Sequence, residues 1–290
     1  MKRPIVRLSS LQLTNIKNVK KGTIYMPNTV NKILSADKAE ILGIYGQNGS
    51  GKTAIVDALY FLQKVMVGAD LDQSLEDYMT IDSDTAEIFA DFNIFMDGIV
   101  FEVGYTLSLS REEKEIVINR EILRSAKNEN GIRTNKTTFM DYQRDQTDVI
   151  FKPQKRLDEI LEANKEIKTD LIVARKMAEK SNCSYIFGES SREIFCREYK
   201  NGFQQFSVII SSLFEFALKD LFVIRNTHSG VISANFVLPM AFRIENDNIG
   251  AKGDFAVPLT EPILVDEERK NLLETIVEQI NIVLYTILIC

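Results

Sequence analysis

The fold is decided by one short stretch, Gly46-Gln47-Asn48-Gly49-Ser50-Gly51-Lys52-Thr53, which is a complete GxxxxGK[ST] pattern. Glycines in such a loop let the backbone curl so that several N–H groups point at phosphate oxygens. The Lys52 ammonium reaches the terminal phosphates, and the Thr53 hydroxyl is a ligand for Mg²⁺. The stretch therefore predicts a phosphate-binding loop in which residues 46–53 contact a nucleotide and Thr53 holds the magnesium.

The residues on either side of the loop predict a strand before it and a helix after it. Residues 41–45, ILGIY, are almost all apolar, which is typical of a strand buried on both faces. After the loop, apolar residues recur at helical spacing, with Asp57 and Gln63 lying off the apolar face. The helix over residues 53–66 thus begins at the loop, and its dipole adds positive potential there.

Two further blocks predict antiparallel strands. Residues 6–26 alternate apolar and polar in short runs broken by Asn and Gly, and residues 86–121 contain three such runs. The first two runs of the second block meet at Asp97-Gly98, a favoured hairpin turn. We therefore expect an α/β fold, a P-loop NTPase core with a mixed, partly antiparallel sheet and a helical insertion.

The remaining segments complete the expected organisation. Residues 125–149 are polar and aperiodic and are interpreted as a loop, whereas residues 153–180 and 207–222 show helical periodicity. Residues 231–244 resemble a strand pair, and residues 266–289 predict an amphipathic helix. We expect an ATP-binding lobe with the antiparallel block over 1–152, a helical insertion over 153–222, and return strands with the last helix over 223–290.

Composition narrows the class of protein. The net charge of -6 argues against binding nucleic acid through bulk positive charge, although a local basic groove would not alter this total. The three cysteines are far apart and show no metal-site spacing, which fits a reducing compartment. With neither a signal-peptide core nor an apolar run of membrane-spanning length, the sequence predicts a soluble, cytoplasmic protein without a membrane partner.

A wider pattern surrounds the loop. Gly46 together with residues 48–53 and 57–59 reads GxNGSGKTxxxDAL, and residues 11–18 read LQLTNIKN. These residues resemble ABC-type ATPase heads of the SMC, RecF and OLD class, and in particular are similar to AAA-family ATPases found in bacterial phage-defence operons. The resemblance implies ATP and Mg²⁺ as cofactors, and it implies that Lys17 and Asn18 approach the nucleotide. The alternative for these two residues is a solvated hairpin tip.

An ABC-type head also needs a Walker B strand and a signature sequence that completes the partner's site. The formal Walker B candidate is residues 263–267, with Asp266 and Glu267 as the candidate catalytic residues. A helix start explains the same residues better, because Asp266 stands at an N-cap position and acidic residues follow in the first turn. Because no signature sequence follows Lys52, we expect the N-terminal part of a longer ATPase, or one that another polypeptide completes.

Two functions from different classes remain open. In the first, two heads of a homodimer or higher oligomer sandwich ATP, and hydrolysis drives a partner effector such as a nuclease, or DNA, in antiviral defence. In the second, the chain is a non-catalytic scaffold whose bound nucleotide stabilises an assembly surface. A small-molecule kinase is disfavoured by the long antiparallel block.

Gln143 and Gln146 could supply a magnesium-contacting glutamine, but a solvated loop explains them better.

Overall fold

The protein forms a broad antiparallel sheet with helices packed on one face, as seen in a computed structural model. The structure describes residues 3–37, 40–47, 49–71, 78–112, 115–146, 149–152, 158, 162, 165–197 and 204–223. The expected return strands at 231–244 and the expected helix at 266–289 lie outside these residues.

Eight strands are described, and all their pairings are antiparallel. The order across the sheet is β2-β1-β3-β4-β5-β7-β8, with the short β6 paired to β5. The strands are β1 (Ile5–Ile16), β2 (Val19–Tyr25), β3 (Thr85–Met96), β4 (Ile99–Glu112), β5 (Glu115–Glu129), β6 (Ile132–Arg133), β7 (Thr137–Gln143) and β8 (Ile150–Phe151). The α/β class with an antiparallel block is thus confirmed.

Five α-helices accompany the sheet in the described part of the chain. They are α1 (Pro27–Val30), α2 (Lys52–Met66), α3 (Lys165–Ser181), α4 (Glu189–Arg197) and α5 (Gln204–Glu215), and a π-helical turn (Phe216–Asp220) follows α5. The helix predicted after the loop is confirmed as α2, and the periodic segments ending near residues 180 and 222 are confirmed as α3 and as α5 with its π-helical turn.

The predicted meander forms because its turns suit the twist of the strands. Asp97 and Gly98 both have positive φ, 47° and 81°, as a two-residue hairpin turn between twisted strands requires. Strand β3 then pairs with β4 along its whole length, and β4 pairs with β5. Residues 86–121 therefore form the centre of the sheet, as the alternating pattern predicted.

The core lies between one face of the sheet and the helices. Leu13, Ile88 and Leu107 form one cross-strand row on this face and are buried, whereas the next row, which points to the other face, is polar. Helices α2, α3, α4 and α5 contribute their apolar sides to the same cluster. This packing holds α2, and with it the phosphate loop, against the sheet.

One carboxylate is buried on the core face. Glu121 on β5 is fully buried and accepts hydrogen bonds from the Tyr105 hydroxyl and the Ser184 hydroxyl, both at 2.6 Å, and from the Tyr185 backbone N–H at 2.7 Å. Burial raises the pKa of Glu121, and these hydrogen bonds oppose that shift. The carboxylate thereby ties the sheet to the turn that precedes α4.

Two sequence interpretations are wrong. Residues 41–45 form no strand, and Tyr45 at their end is 90% exposed. A strand buried on both faces needs a neighbour on each edge, and within the described ranges no strand pairs with this segment. Residues 125–143 are not a loop, because β5 continues to Glu129 and β7 then pairs with it.

The hydrophobic side chains of β7 explain the second error. Phe139, Met140 and Tyr142 are buried against the helices, although the surrounding residues are polar.

Among the described helices, none is long and apolar enough to cross a membrane.

Candidate functional site

The phosphate loop leads directly into helix α2. Gly51 is the N-cap of this helix with a φ of 94°, and Gly49 has a φ of 83°. Both values lie in the left-handed region, which glycine adopts without steric strain. No side chain caps the helix. The N–H groups of its first turn, which have no partner within a helix, therefore lie at the loop and can bind an anion.

Lys52 is the first residue of α2, and its ammonium folds back over the loop. Its Nζ donates hydrogen bonds to the carbonyl oxygens of Gly46, at 2.5 Å, and Gln47, at 2.8 Å. The Ser50 N–H also donates to the Gln47 carbonyl, at 3.2 Å. The loop is thus a closed turn that surrounds one positive charge, and phosphate oxygens can compete with the two carbonyls for that charge.

Thr53 lies in the first turn of α2 and is exposed. Thr53 therefore lies exposed next to the helix N-terminus, where a phosphate could bind. A hydroxyl oxygen is a suitable hard ligand for Mg²⁺, which keeps several waters and takes its other ligands largely from the nucleotide phosphates. No cluster of three or more His, Cys, Asp or Glu side chains suited to a metal occurs among the described residues.

The tip of the β1–β2 hairpin lies against the loop. The Asn18 side-chain amide donates a hydrogen bond to the Gly49 carbonyl. Gly51 packs closely on the next residue of the hairpin, since a Cβ at this position would lie only 2.6 Å from Cγ2 of Val19. The structure thus brings Asn18 into contact with the phosphate loop, and Lys17 precedes Asn18 at the tip of the same hairpin. Their binding of nucleotide stays a prediction.

Lys17 is held by an ion pair that sequence reasoning missed. Its ammonium donates to the carboxylate of Asp57 in the second turn of α2, and Asp57 is only 2% exposed. The ammonium also lies 5.5 Å from the centre of the Tyr78 ring. Helical periodicity predicted that Asp57 lies on the polar side of α2. Periodicity cannot show that such an aspartate pairs with a residue from a distant strand.

Other sequence candidates are not brought to the loop. Gln143 lies on a cross-strand row that runs from Thr14 on β1 through β3, β4 and β5 to β7. Four strand spacings separate Gln143 from β1, which is roughly 19 Å. Gln146 is exposed and donates to the side chain of Gln143. Asn48, Asp266 and Glu267 lie outside the described residues.

Residues 41–170 match the family described as "AAA domain, putative AbiEii toxin, Type IV TA system". No curated protein matches the chain. Among solved structures, the chain is similar to the recombination mediator protein RecF bound to ATP, at 16% identity and a TM-score of 0.26. The similarity covers 68% of this chain and 53% of RecF, so the chain spans about half of that protein's length. Residues 41–170, which include the phosphate loop, are thus similar to a family of AAA domains.

Proposed function

We propose that the protein is an ATP-driven switch, in which ATP bound at residues 46–53 brings two heads together and hydrolysis releases them. One observation carries this proposal. The loop curls through two left-handed glycines into the uncapped N-terminus of α2, with Lys52 folded over it. Such an arrangement suits the phosphates of a nucleotide, because the backbone N–H groups at a helix terminus and an ammonium can bind the same anion.

Magnesium completes the proposed site. Thr53 would hold the ion through its hydroxyl, and the ion would neutralise charge on the terminal phosphates. Lys52 would bind the same phosphates directly, and the tip of the hairpin, Lys17 and Asn18, would close the site from the side. Two observations support binding of a nucleotide with Mg²⁺ by these residues: Thr53 is exposed, and Asn18 contacts the loop.

The partners belong to the proposal as well. We assign the heads to a homodimer or higher oligomer in the cytoplasm that controls an effector protein such as a nuclease, or DNA, in antiviral defence. The toxin of a type IV system named in the family description supports an effector-linked role. The proposed division into an ATP-binding lobe over 1–152, a helical insertion over 153–222 and a return segment over 223–290 follows the same scheme, in which Asp266 and Glu267 remain the candidate catalytic pair.

Sedimentation tests the switch, because a switch changes its assembly with the bound nucleotide. The full chain should sediment as a larger species with Mg²⁺ and ATP than with ADP or without nucleotide. Thr53→Ala should weaken this response, whereas Thr169→Ala, the same change at an exposed position of α3, should leave it intact. An unchanged sedimentation coefficient under saturating ATP would refute the switch.

Phosphate release separates the switch from the alternative function. If the chain is a non-catalytic scaffold, ATP alone supports its assembly and no phosphate is released. Steady release by the purified chain, lost in Lys52→Ala, supports the switch. ATP binding and assembly without any release, in the presence of the effector or DNA as well, would favour the scaffold.

A further inference from the structure

The ion pair between Lys17 and Asp57 lies beside the phosphate loop without belonging to the loop pattern. Asp57 follows Lys52 by five residues on α2, which is a rise of about 7.5 Å along the helix axis. Asp57 also follows Thr53 by four residues, so these two side chains are neighbours on one face of α2, one turn from the loop. A buried negative charge therefore lies near the place where phosphates would bind.

The backbone of Lys17 is held by hydrogen bonds, so its ammonium stays close to the negative charge of Asp57. Its backbone has a φ of 50°, its N–H donates to the Tyr78 carbonyl at 2.8 Å, and its carbonyl accepts from the Thr80 hydroxyl at 2.7 Å. The Tyr78 ring lies beneath the ammonium. The side chain of Lys17 is 24% exposed, whereas that of Asp57 is 3% exposed. Lys17 is therefore the more exposed member of the pair.

We propose that Lys17 and Asp57 form a charge-balanced pair beside the nucleotide site, in which the Lys17 ammonium cancels the negative charge of Asp57. The inference rests on the proposed function. The pair sets the electrostatic potential that the phosphates meet. Without Lys17, the carboxylate repels phosphate, and without Asp57, the ammonium attracts phosphate more strongly. Near a protein surface, charges one to two helical turns apart interact strongly enough to change the affinity for a multiply charged phosphate roughly tenfold at moderate salt.

A double-mutant cycle on ATP affinity tests this. Lys17→Met should weaken ATP binding roughly tenfold, and Asp57→Asn should strengthen it by several-fold. The double variant should return to within about threefold of the wild-type affinity, because both charges are then absent. The same changes at the ion pair of Lys136 and Asp91, which links β3 to the segment before β7, should leave ATP affinity unchanged.

The sign of the Asp57→Asn effect decides the outcome. Weaker binding in Asp57→Asn, with no recovery in the double variant, would overturn charge cancellation and make Lys17 a direct phosphate ligand. Wild-type binding that Lys52→Ala abolishes but that stays constant across the cycle would refute this inference alone. No ATP binding by the wild type would refute the proposed function and this inference together. Urea denaturation of each variant confirms that the compared proteins are folded.

Discussion

Replacing Gly51 by alanine tests the packing of the hairpin on the phosphate loop. Alanine with a φ of 94° costs about 1–2 kcal/mol in backbone strain. The new Cβ would also lie 2.6 Å from Cγ2 of Val19, about 0.9–1.4 Å inside the ordinary contact distance of about 3.5–4.0 Å. Overpacking of this kind adds about 1–3 kcal/mol. We expect Gly51→Ala to destabilise the protein by about 2–5 kcal/mol.

Gly49 provides the matched control. Its φ of 83° is similar, but a Cβ there would meet nothing within 4 Å. Gly49→Ala should therefore lose only about 1–2 kcal/mol from backbone strain. Unfolding in urea measures both, and a shift in midpoint at constant m-value reports the difference.

A variant at Val19 separates the cost of backbone strain at position 51 from the cost of the steric clash with Val19. Val19→Ala removes Cγ2, so Gly51→Ala should cost less in the Val19→Ala background than in the wild type, by about 1–3 kcal/mol. Gly49→Ala should cost the same in both backgrounds. Equal losses for the two glycine variants, or no recovery through Val19→Ala, would refute the contact between the hairpin and the loop.

The remaining predictions concern Glu121. Glu121→Ala should destabilise the protein by about 3–5 kcal/mol in urea denaturation, because the buried Tyr185 N–H and two hydroxyls lose their acceptor; a loss below about 1 kcal/mol would contradict this network. Because burial raises the pKa of Glu121 above its ordinary value of 4.5, the folded protein holds this proton more tightly than the unfolded chain. This contribution to stability is present below pH 4.5 and is lost as the pH rises through the folded pKa, so the stability of the wild type should fall relative to Glu121→Gln. A gain for the wild type with rising pH would show the opposite shift.

The sequence predicted those elements whose signal is local. The hairpin turn at Asp97-Gly98 and the helix after the loop carry their own residue patterns, and both are confirmed. The left-handed glycines at 49 and 51 are likewise implied by the loop pattern itself. These features need no knowledge of distant residues.

The errors arise where distant residues decide. Strand β7 forms because β5 supplies an edge for it, and its polar flanks hide the three buried side chains. Residues 41–45 have the composition of a buried strand, but composition cannot supply the neighbouring strands that such burial requires. Asp57 is buried because Lys17 reaches it from a hairpin forty positions away in the chain, a pairing that helical spacing cannot reveal.

Calorimetric titration of ATP with Mg²⁺ into the full chain and into Lys52→Ala tests the central claim most directly. The wild type should bind ATP, and Lys52→Ala should lose about 100-fold in affinity, because the loss of a charge-assisted contact to phosphate is worth about 3 kcal/mol. Lys64→Ala, which removes the same charge from the last turn of α2, should bind like the wild type. Equal affinity of the wild type and Lys52→Ala would contradict nucleotide binding at residues 46–53.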